Sequence, residues 1–330
     1  MRHKRRHVIK KTCNAQFARA GVVPVSFELA ASSEPAAPTD VILSKENGKI
    51  SALVNESWAP NRLSYYSDRL AVHVYWLFHS SDQVKRISVD ISDGNAPSAA
   101  RYRFSATDKA TDKDLTLVPD AHFFRDQGYI AMDSFAAQHA PAWEDRRDDI
   151  VWRGGLNGDG LFSLEPSLAD NPGVVQRLRM AQKCQQLDVD FRFIFNRSQI
   201  FCEILRSAGL TGDSIPPHDW ATMKYAIDID GYTNAWSNFM QRLKLGCCVL
   251  KVGSQFGYRQ WYYDKLVPGE HFVPIRADLS DLHEKLDWVR TKPKEARAIA
   301  KQGQSFAKAM TFESERDYAI QAIEERELRG

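Results

Sequence analysis

The sequence predicts an α/β protein of two domains, on three observations. The chain has 330 residues, which suits two domains of ordinary size better than one. Its second half alternates strand-like and helix-like segments, as a Rossmann-like domain does. The stretch Lys224–Val252 reads as a complete β–turn–α–β unit. Within it Tyr225, Ile227 and Ile229 alternate with Ala226, Asp228 and Asp230, the period of a strand. Gly231 permits a sharp turn, and Thr233 or Asn234 is expected to cap the next helix. There Trp236, Met240 and Leu243 form a buried stripe at helical spacing, with Asn238 and Arg242 on another face. Gly246 stops the helix and Cys247–Val252 returns as a strand. Unpaired N–H groups and the macrodipole at the helix start favour an anion such as a diphosphate. An ordinary βαβ unit with no ligand fits the pattern equally well.

Hydrophobic residues make up 43%, with 8 Trp and 17 Phe, enough to fill globular cores. Five cysteines, at 13, 184, 202, 247 and 248, include no CxxC pair, so free thiols in a reducing compartment are expected. Cys247 and Cys248 read as small fillers of a buried strand. The net charge of +2 hides an asymmetry, because Arg2, Lys4, Arg5, Arg6, Lys10 and Lys11 crowd the start. Without those six, 38 basic residues face 42 acidic ones. This basic arm suits either anionic lipid headgroups or a solvated tail, and it lacks the aromatic interleaving of a nucleic-acid binder. No apolar run approaches the roughly 18 residues of a spanning helix, and no signal-peptide core follows the arm. A cytoplasmic protein, peripheral on the inner membrane face if the arm docks there, is the expectation.

Residues 29–48 are small, polar and Pro-bearing, and read as a surface loop; residues 1–48 together form a basic arm and flexible region. Residues 61–79 carry a helical pattern on Leu63, Leu70 and Val74. Lys85–Ser92 alternates through Ile87, Val89 and Ile91 as a strand, with Asp90 in its middle, and ends at the turn Asp93-Gly94-Asn95. A carboxylate just past a strand's carboxyl end is well placed for chemistry, although Asp93 also makes turns. A short strand ARYRFSA over 100–106, a charged loop at 107–114 and the run LVPDAHFF follow. The polar run Asp145–Asp149 marks the domain boundary. The strand DIVWRGG then enters a loop with five glycines between Gly154 and Gly173, whose N–H groups can approach phosphate, with Arg153 as a candidate charge-assisted contact. Helices over 174–187 and 196–209 flank the strand DVDFRFIF. Beyond the central unit come the strand FVPIRADL ending at Asp278, a helix capped by Ser280, a helix broken near Gly303, and a last helix over 313–327.

Several chemistries are excluded by motif. There is no GxxxxGK[ST], no GxSxG and, among the nine histidines, no HExxH. The letters DxD occur at 188–190 and 228–230, but each lies within a strand pattern, so no metal–nucleotide motif is read.

The wording of KYAIDIDG, the W..F..RL.LG..VLKV segment, RQWYYDKL, FVPIRADLSDL and the later A..IA..G..FA resembles glycosyltransferase family 90. That family includes bacterial lipopolysaccharide and capsule glycosyltransferases and eukaryotic protein O-glucosyltransferases and xylosyltransferases. DDIVWRGG looks like its strand-plus-RG loop, and VDISDG like its catalytic-loop region. The likeness is strong over 143–309, looser over 80–125 and absent before about residue 60. It implies a GT-B fold, two Rossmann-like domains facing across a cleft, and inverting transfer from a UDP-sugar with no obligatory metal or other cofactor. The acceptor-side domain would span 49–146, the nucleotide-sugar domain 147–310 and a C-terminal helix 311–330. Asp93 aligns with the family's catalytic aspartate and would be the general base. The donor would be held by Arg153, Gly154, Gly155, Asp230, Gly231, Tyr232, Thr233, Asn234, Trp236 and Arg242, with either Arg242 or Asn238 at the family's basic position. The expected function is transfer of glucose, galactose or xylose to a glycan or glycolipid acceptor, such as lipopolysaccharide core or another surface polysaccharide. The alternative is an inactive, sugar- or nucleotide-binding relative in an assembly complex.

Overall fold

A computed structural model describes residues 3–57, 63–107, 115–195 and 199–329. The first part of the chain holds α1 (His3–Arg19), β1 (Phe27–Ser32), β2 (Asp40–Glu46), β3 (Lys49–Asn55), α2 (Leu63–His79), β4 (Arg86–Asp90), β5 (Tyr102–Arg103), β6 (Ala106–Thr107), β7 (Thr116–Leu117) and α3 (Ala121–Arg125). Next come α4 (Ile130–His139), β8 (Arg147–Gly154), α5 (Gln176–Cys184), β9 (Asp190–Phe193), α6 (Gln199–Ser207), β10 (Met223–Asp228), α7 (Ser237–Lys244) and β11 (Cys248–Val252). The chain closes with β12 (Tyr258–Arg259), β13 (Val273–Ile275), α8 (Leu282–Thr291), α9 (Pro293–Ala309) and α10 (Phe312–Arg329).

Two compact units result: residues 1–130, 258–263 and 310–330 in one, and 131–257 with 264–309 in the other. The division falls before Asp145–Asp149, whose second half already belongs to β8. The C-terminal helix is no separate element, because Phe312 packs with Tyr75, Trp76 and Phe124 inside the first unit. The charged loop expected at 107–114 lies, apart from Thr107 in β6, outside the described residues.

The first unit corrects the expected flexible N-terminus. Ile9, Cys13 and Phe17 recur at every fourth position and are fully buried, so α1 is locked by a stripe that the surrounding charge obscures. Cys13 Sγ donates to the Ser67 carbonyl of α2 at 3.0 Å, and Phe17 meets Phe124 edge-on. Residues 29–48 are likewise not one loop, since they contain the end of β1 and all of β2. The β2–β3 hairpin turns at Asn47-Gly48, both with positive φ, the geometry that a two-residue type I′ turn requires. Lys45 on β2 is buried, and its ammonium donates to the last carbonyls around α2, Phe78 O at 3.0 Å and Ser80 O at 2.7 Å. The sheet order is β1-β3-β2-β4-β5-β7. β2 runs antiparallel to both neighbours and the other pairs are parallel, so this sheet is mixed rather than Rossmann-like throughout.

The second unit is an open parallel sheet in the order β13-β11-β10-β8-β9. Its core joins Trp152, Phe191, Ile227 and Leu250 from the strands to Leu178, Leu286 and Ile299 from the helices. Cys247 and Cys248 are buried fillers as expected, and all five cysteines are free. β13 stops at Ile275, short of Asp278. Ser280 does not cap α8; its hydroxyl donates to Asp278, and Asp281 takes the N-cap position. Nor is α9 broken at Gly303. It runs through, and a Cβ there would collide with the His271 carbonyl oxygen and approach Leu243 Cδ2 to 2.9 Å, so glycine allows close packing rather than a kink.

Candidate functional site at the switch point of the parallel sheet

From β8 the second sheet grows in two directions, toward β9 on one side and toward β10, β11 and β13 on the other. The strand order therefore reverses between β8 and β10, and ligands of open α/β sheets bind outside the strand ends at such a point. The loops that follow β8, β10 and β11 converge there on a cleft lined by Asn157, Asp159, Asp230, Gly231, Thr233 and Gln255, with Arg177 of α5 in its wall.

Arg177 joins these loops. Its guanidinium donates to Asp230 O at 2.9 Å, Ile229 O at 2.9 Å and Gly155 O at 2.8 Å, so one side chain fixes the turns after β10 and β8 together. Burial pulls its pKa down to about 10, against the opposing pull of Asp230 and Asp228. Gly231 suits this closeness: a Cβ would sit 3.2 Å from Asn157 Cβ and 3.3 Å from Arg177 Nη2, so the neighbours would have to give way slightly.

Beneath the turn lies an ion triad. Lys251 of β11 stands opposite Asp228 of β10 in register. Its ammonium lies 2.7 Å from Asp228 Oδ2 and 2.8 Å from Asp230 Oδ1, and all three side chains are buried. Burial opposes the ammonium, but the two carboxylates outweigh it and hold Lys251 above its usual range. The letters of DID are thus not simple strand alternation: β10 ends at Asp228, Asp230 lies beyond it, and a lysine bridges them. At the other DxD, Asp188 lies outside β9 with positive φ and Asp190 opens the strand. Among the described residues no group of three His, Cys, Asp or Glu is arranged to hold a metal.

The cleft gathers only some of the expected donor residues. Asp230, Gly231 and Thr233 line it, and Gly155 is tied to it through Arg177. Gly154 packs against the ring of Trp152, where a Cβ would clash. Tyr232 is 47% exposed at the turn, Asn234 is buried, and Trp236 is half-buried. Neither Thr233 nor Asn234 caps the helix. α7 starts at Ser237, and Trp236 holds the N-cap position with φ 51°, because the chain after Gly231 makes a longer turn before it coils.

Two arginines are committed elsewhere. Arg153 is a β8 residue rather than a loop residue, and its guanidinium binds Asp190 Oδ2 at 2.7 Å and the Asp213 and Asp190 carbonyls at 2.9 Å, tying β8 to its edge neighbour. Arg242 is buried over the Trp220 ring, 3.6 Å from its centroid, and does not line the cleft. Desolvation brings its pKa down to about 10. Lys244, two residues on, is equally buried and holds Asp133 at 2.6 Å. Arg177, Lys251, Asn157 and Gln255 were not singled out by sequence reasoning. Lys251 had the clearest signal: a lone lysine in the apolar run VLKV needs a buried counter-charge.

A second cluster stands in the first unit, at the carboxyl end of β4. Asp93 lies past the strand, 21% exposed, and receives Nη2 of buried Arg69 at 2.5 Å. Asp90 is the last residue of β4 rather than a mid-strand one, and its carboxylate accepts Ser92 N at 2.9 Å and Ser92 Oγ at 2.7 Å. Burial pushes its carboxyl up, and the Ser92 bonds oppose that. The Asp90 carbonyl accepts Nε2 of His73, which stacks on Phe104 and whose pKa burial lowers to about 3. The unfolded chain takes a proton on this histidine near pH 6.5. The folded one does so only near pH 3. Stability should therefore fall by about 1.4 kcal/mol per pH unit between those values on this account. Denaturation at pH 6 and pH 4 should show a flatter slope for His73→Gln; an unchanged slope would contradict the assignment.

Fold and site thus define an open α/β unit with a narrow cleft at its switch point. The model of glycosyl transferase family 90 matches residues 130–326, more than half of the chain, and the chain belongs to that family. Protein O-glucosyltransferase 3 of Homo sapiens is 40% identical over 178 residues, 53% of this chain and 31% of that protein. Protein O-glucosyltransferase 2 of Danio rerio is 25% identical over 183 residues, 55% of this chain and 33% of that protein. Uncharacterized protein 035R of Invertebrate iridescent virus 3 is 29% identical over 189 residues, 52% of this chain and 16% of that protein. The chain therefore matches a third or less of the length of each of these relatives.

Proposed function

We propose that the protein is an inverting glycosyltransferase that moves glucose, galactose or xylose from a UDP-sugar to an acceptor hydroxyl. The observation that carries this reading is the convergence of three strand-end loops around Arg177 at the switch point, in a chain that belongs to glycosyl transferase family 90. A GT-B arrangement, with the two units facing across a cleft, is part of the proposal. The diphosphate lies against backbone N–H groups of the turns after Gly155 and Gly231, with the Arg177 charge behind them. The acceptor hydroxyl attacks the anomeric carbon opposite the departing nucleoside diphosphate, and Asp93 takes its proton. The acceptor is a hydroxyl of lipopolysaccharide core or another surface glycan, or, by likeness to the protein O-glucosyltransferases, of a protein.

The reaction needs no divalent metal on this account. The carboxylates that a DxD site would offer to a metal, Asp228 and Asp230, are both already paired with the Lys251 ammonium. UDP-glucose, UDP-galactose or UDP-xylose should stabilise the fold in excess chelator, by about 2.7 kcal/mol at a hundred times its Kd. A thermal-shift screen of nucleotide sugars reads this directly. Strict dependence on added Mn²⁺ or Mg²⁺ would overturn the metal-independent reading, and stabilisation without hydrolysis or transfer would favour an inactive binding relative.

A further inference from the structure

The basic start of the chain is a folded surface rather than a tail. α1 contains no acidic residue between His3 and Arg19. Its inward stripe of Ile9, Cys13 and Phe17 is consumed by the core, which turns Arg6, His7, Lys10 and Lys11 to solvent in a fixed array. Exposed Val8, 40% accessible, lies among them, and Val23, 84% accessible, follows the helix. On one flank Arg6, His7 and Lys10 form the wall of a cleft whose floor is Leu29, Ala30, Ala52 and Leu53 of β1 and β3. Glu28 is the acidic group on that floor. β1 is the edge strand of its sheet, so the cleft opens at the margin of the unit.

We propose that this face of α1, with its cleft, docks on an anionic phospholipid surface. Charge complementarity selects the occupant: a wall of two permanent cations and a histidine, over a floor that is apolar apart from Glu28 and Ser51, fits a phosphate headgroup with the start of its acyl region. Exposed Val8 among the charges suits the boundary between headgroups and acyl chains. Because the helix is packed against the core, its charges are presented without the ordering entropy that a free tail would lose. Among the described residues no helix is long and apolar enough to cross a membrane, so the contact is a surface one. The proposal is independent of the sugar-transfer reading, since it uses none of those residues.

Deleting residues 2–11 is a poor test, because it removes Ile9 from the core. Point changes at exposed positions are better. Binding of the full chain to vesicles of phosphatidylcholine with phosphatidylglycerol, at low salt, is the readout. Lys10→Gln and Lys11→Gln should each weaken it about five-fold, and Glu28→Gln should strengthen it by a similar factor. Pure phosphatidylcholine vesicles should not bind. A short DNA duplex serves as a polyanion control, and inorganic phosphate as a soluble competitor. Equal vesicle binding by wild type, Lys10→Gln and Lys11→Gln would overturn the proposal. So would binding to DNA that matches or exceeds binding to the vesicles, which would mark a general polyanion surface. Abolition of vesicle binding by millimolar phosphate would do the same, because a free anion and not a membrane would then be the ligand.

Discussion

Asp93→Asn is expected to lower sugar transfer by roughly 10²–10⁴, the usual weight of general-base catalysis, while donor affinity stays near that of the parent protein. The substitution keeps the shape of the side chain and removes the proton acceptor. Asp93 stands past the end of β4 with its carboxylate oriented by Arg69 and still 21% exposed, so a hydroxyl can reach it. Asp90 has the opposite setting: 1% exposed, with both oxygens bound to Ser92. Asp90→Asn should therefore lower stability more than turnover. Calorimetric donor binding beside acceptor turnover separates the two variants. Should Asp93→Asn keep most of its turnover while Asp90→Asn loses it, the base has been placed on the wrong carboxylate.

Lys251→Met should destabilise the second unit by about 3–5 kcal/mol, because it strands two buried carboxylates without the ammonium that pairs with both. The penalty comes from the charges left behind rather than from the worth of the ion pairs. Combining Lys251→Met with Asp228→Asn and Asp230→Asn should accordingly recover much of the loss. Urea denaturation of the three proteins decides it. A Lys251→Met variant as stable as the parent would mean that the triad is not what fixes the ends of β10 and β11.

Much of the second unit was legible in sequence, because hydrophobic period and parallel order reinforce each other there. β8, β9, β10 and β11 overlap the stretches read as strands, with ends that differ by a few residues, and α7 carries Met240 and Leu243 inward. What composition concealed was the first fifty residues. In α1 the buried stripe has only three strongly apolar members among six basic residues, so charge dominates any count. Asn47-Gly48 is a direct hairpin signal, yet it lies in a stretch whose alanines, serines and prolines resemble a linker.

The site was legible to the level of the loop and not of the side chain. Gly231 and Gly154 mark where the chain packs closely, and residue type points to both. Which arginine faces the cleft depends on tertiary placement: Arg153 and Arg242 meet an aspartate and a tryptophan that no spacing rule brings to them. Arg177 reaches three carbonyls in two loops, one 22 residues before it and the other 52 and 53 residues after it, only once the sheet has formed. Lys251 was missed as well, although a lone lysine in VLKV signals a buried counter-charge; the structure sets it opposite Asp228 in the parallel pair.

The most direct measurement is a calorimetric titration of UDP-sugar, in excess chelator, into the parent protein and into Gln255→Trp. The added ring would fill the cleft from the loop after β11 while leaving Arg177, Lys251 and the sheet untouched. The parent should bind and the variant should not, with both equally stable to urea. Binding by Gln255→Trp at parental affinity would place the nucleotide sugar somewhere other than the switch-point cleft, and failure of the folded parent protein to bind any UDP-sugar would contradict the account.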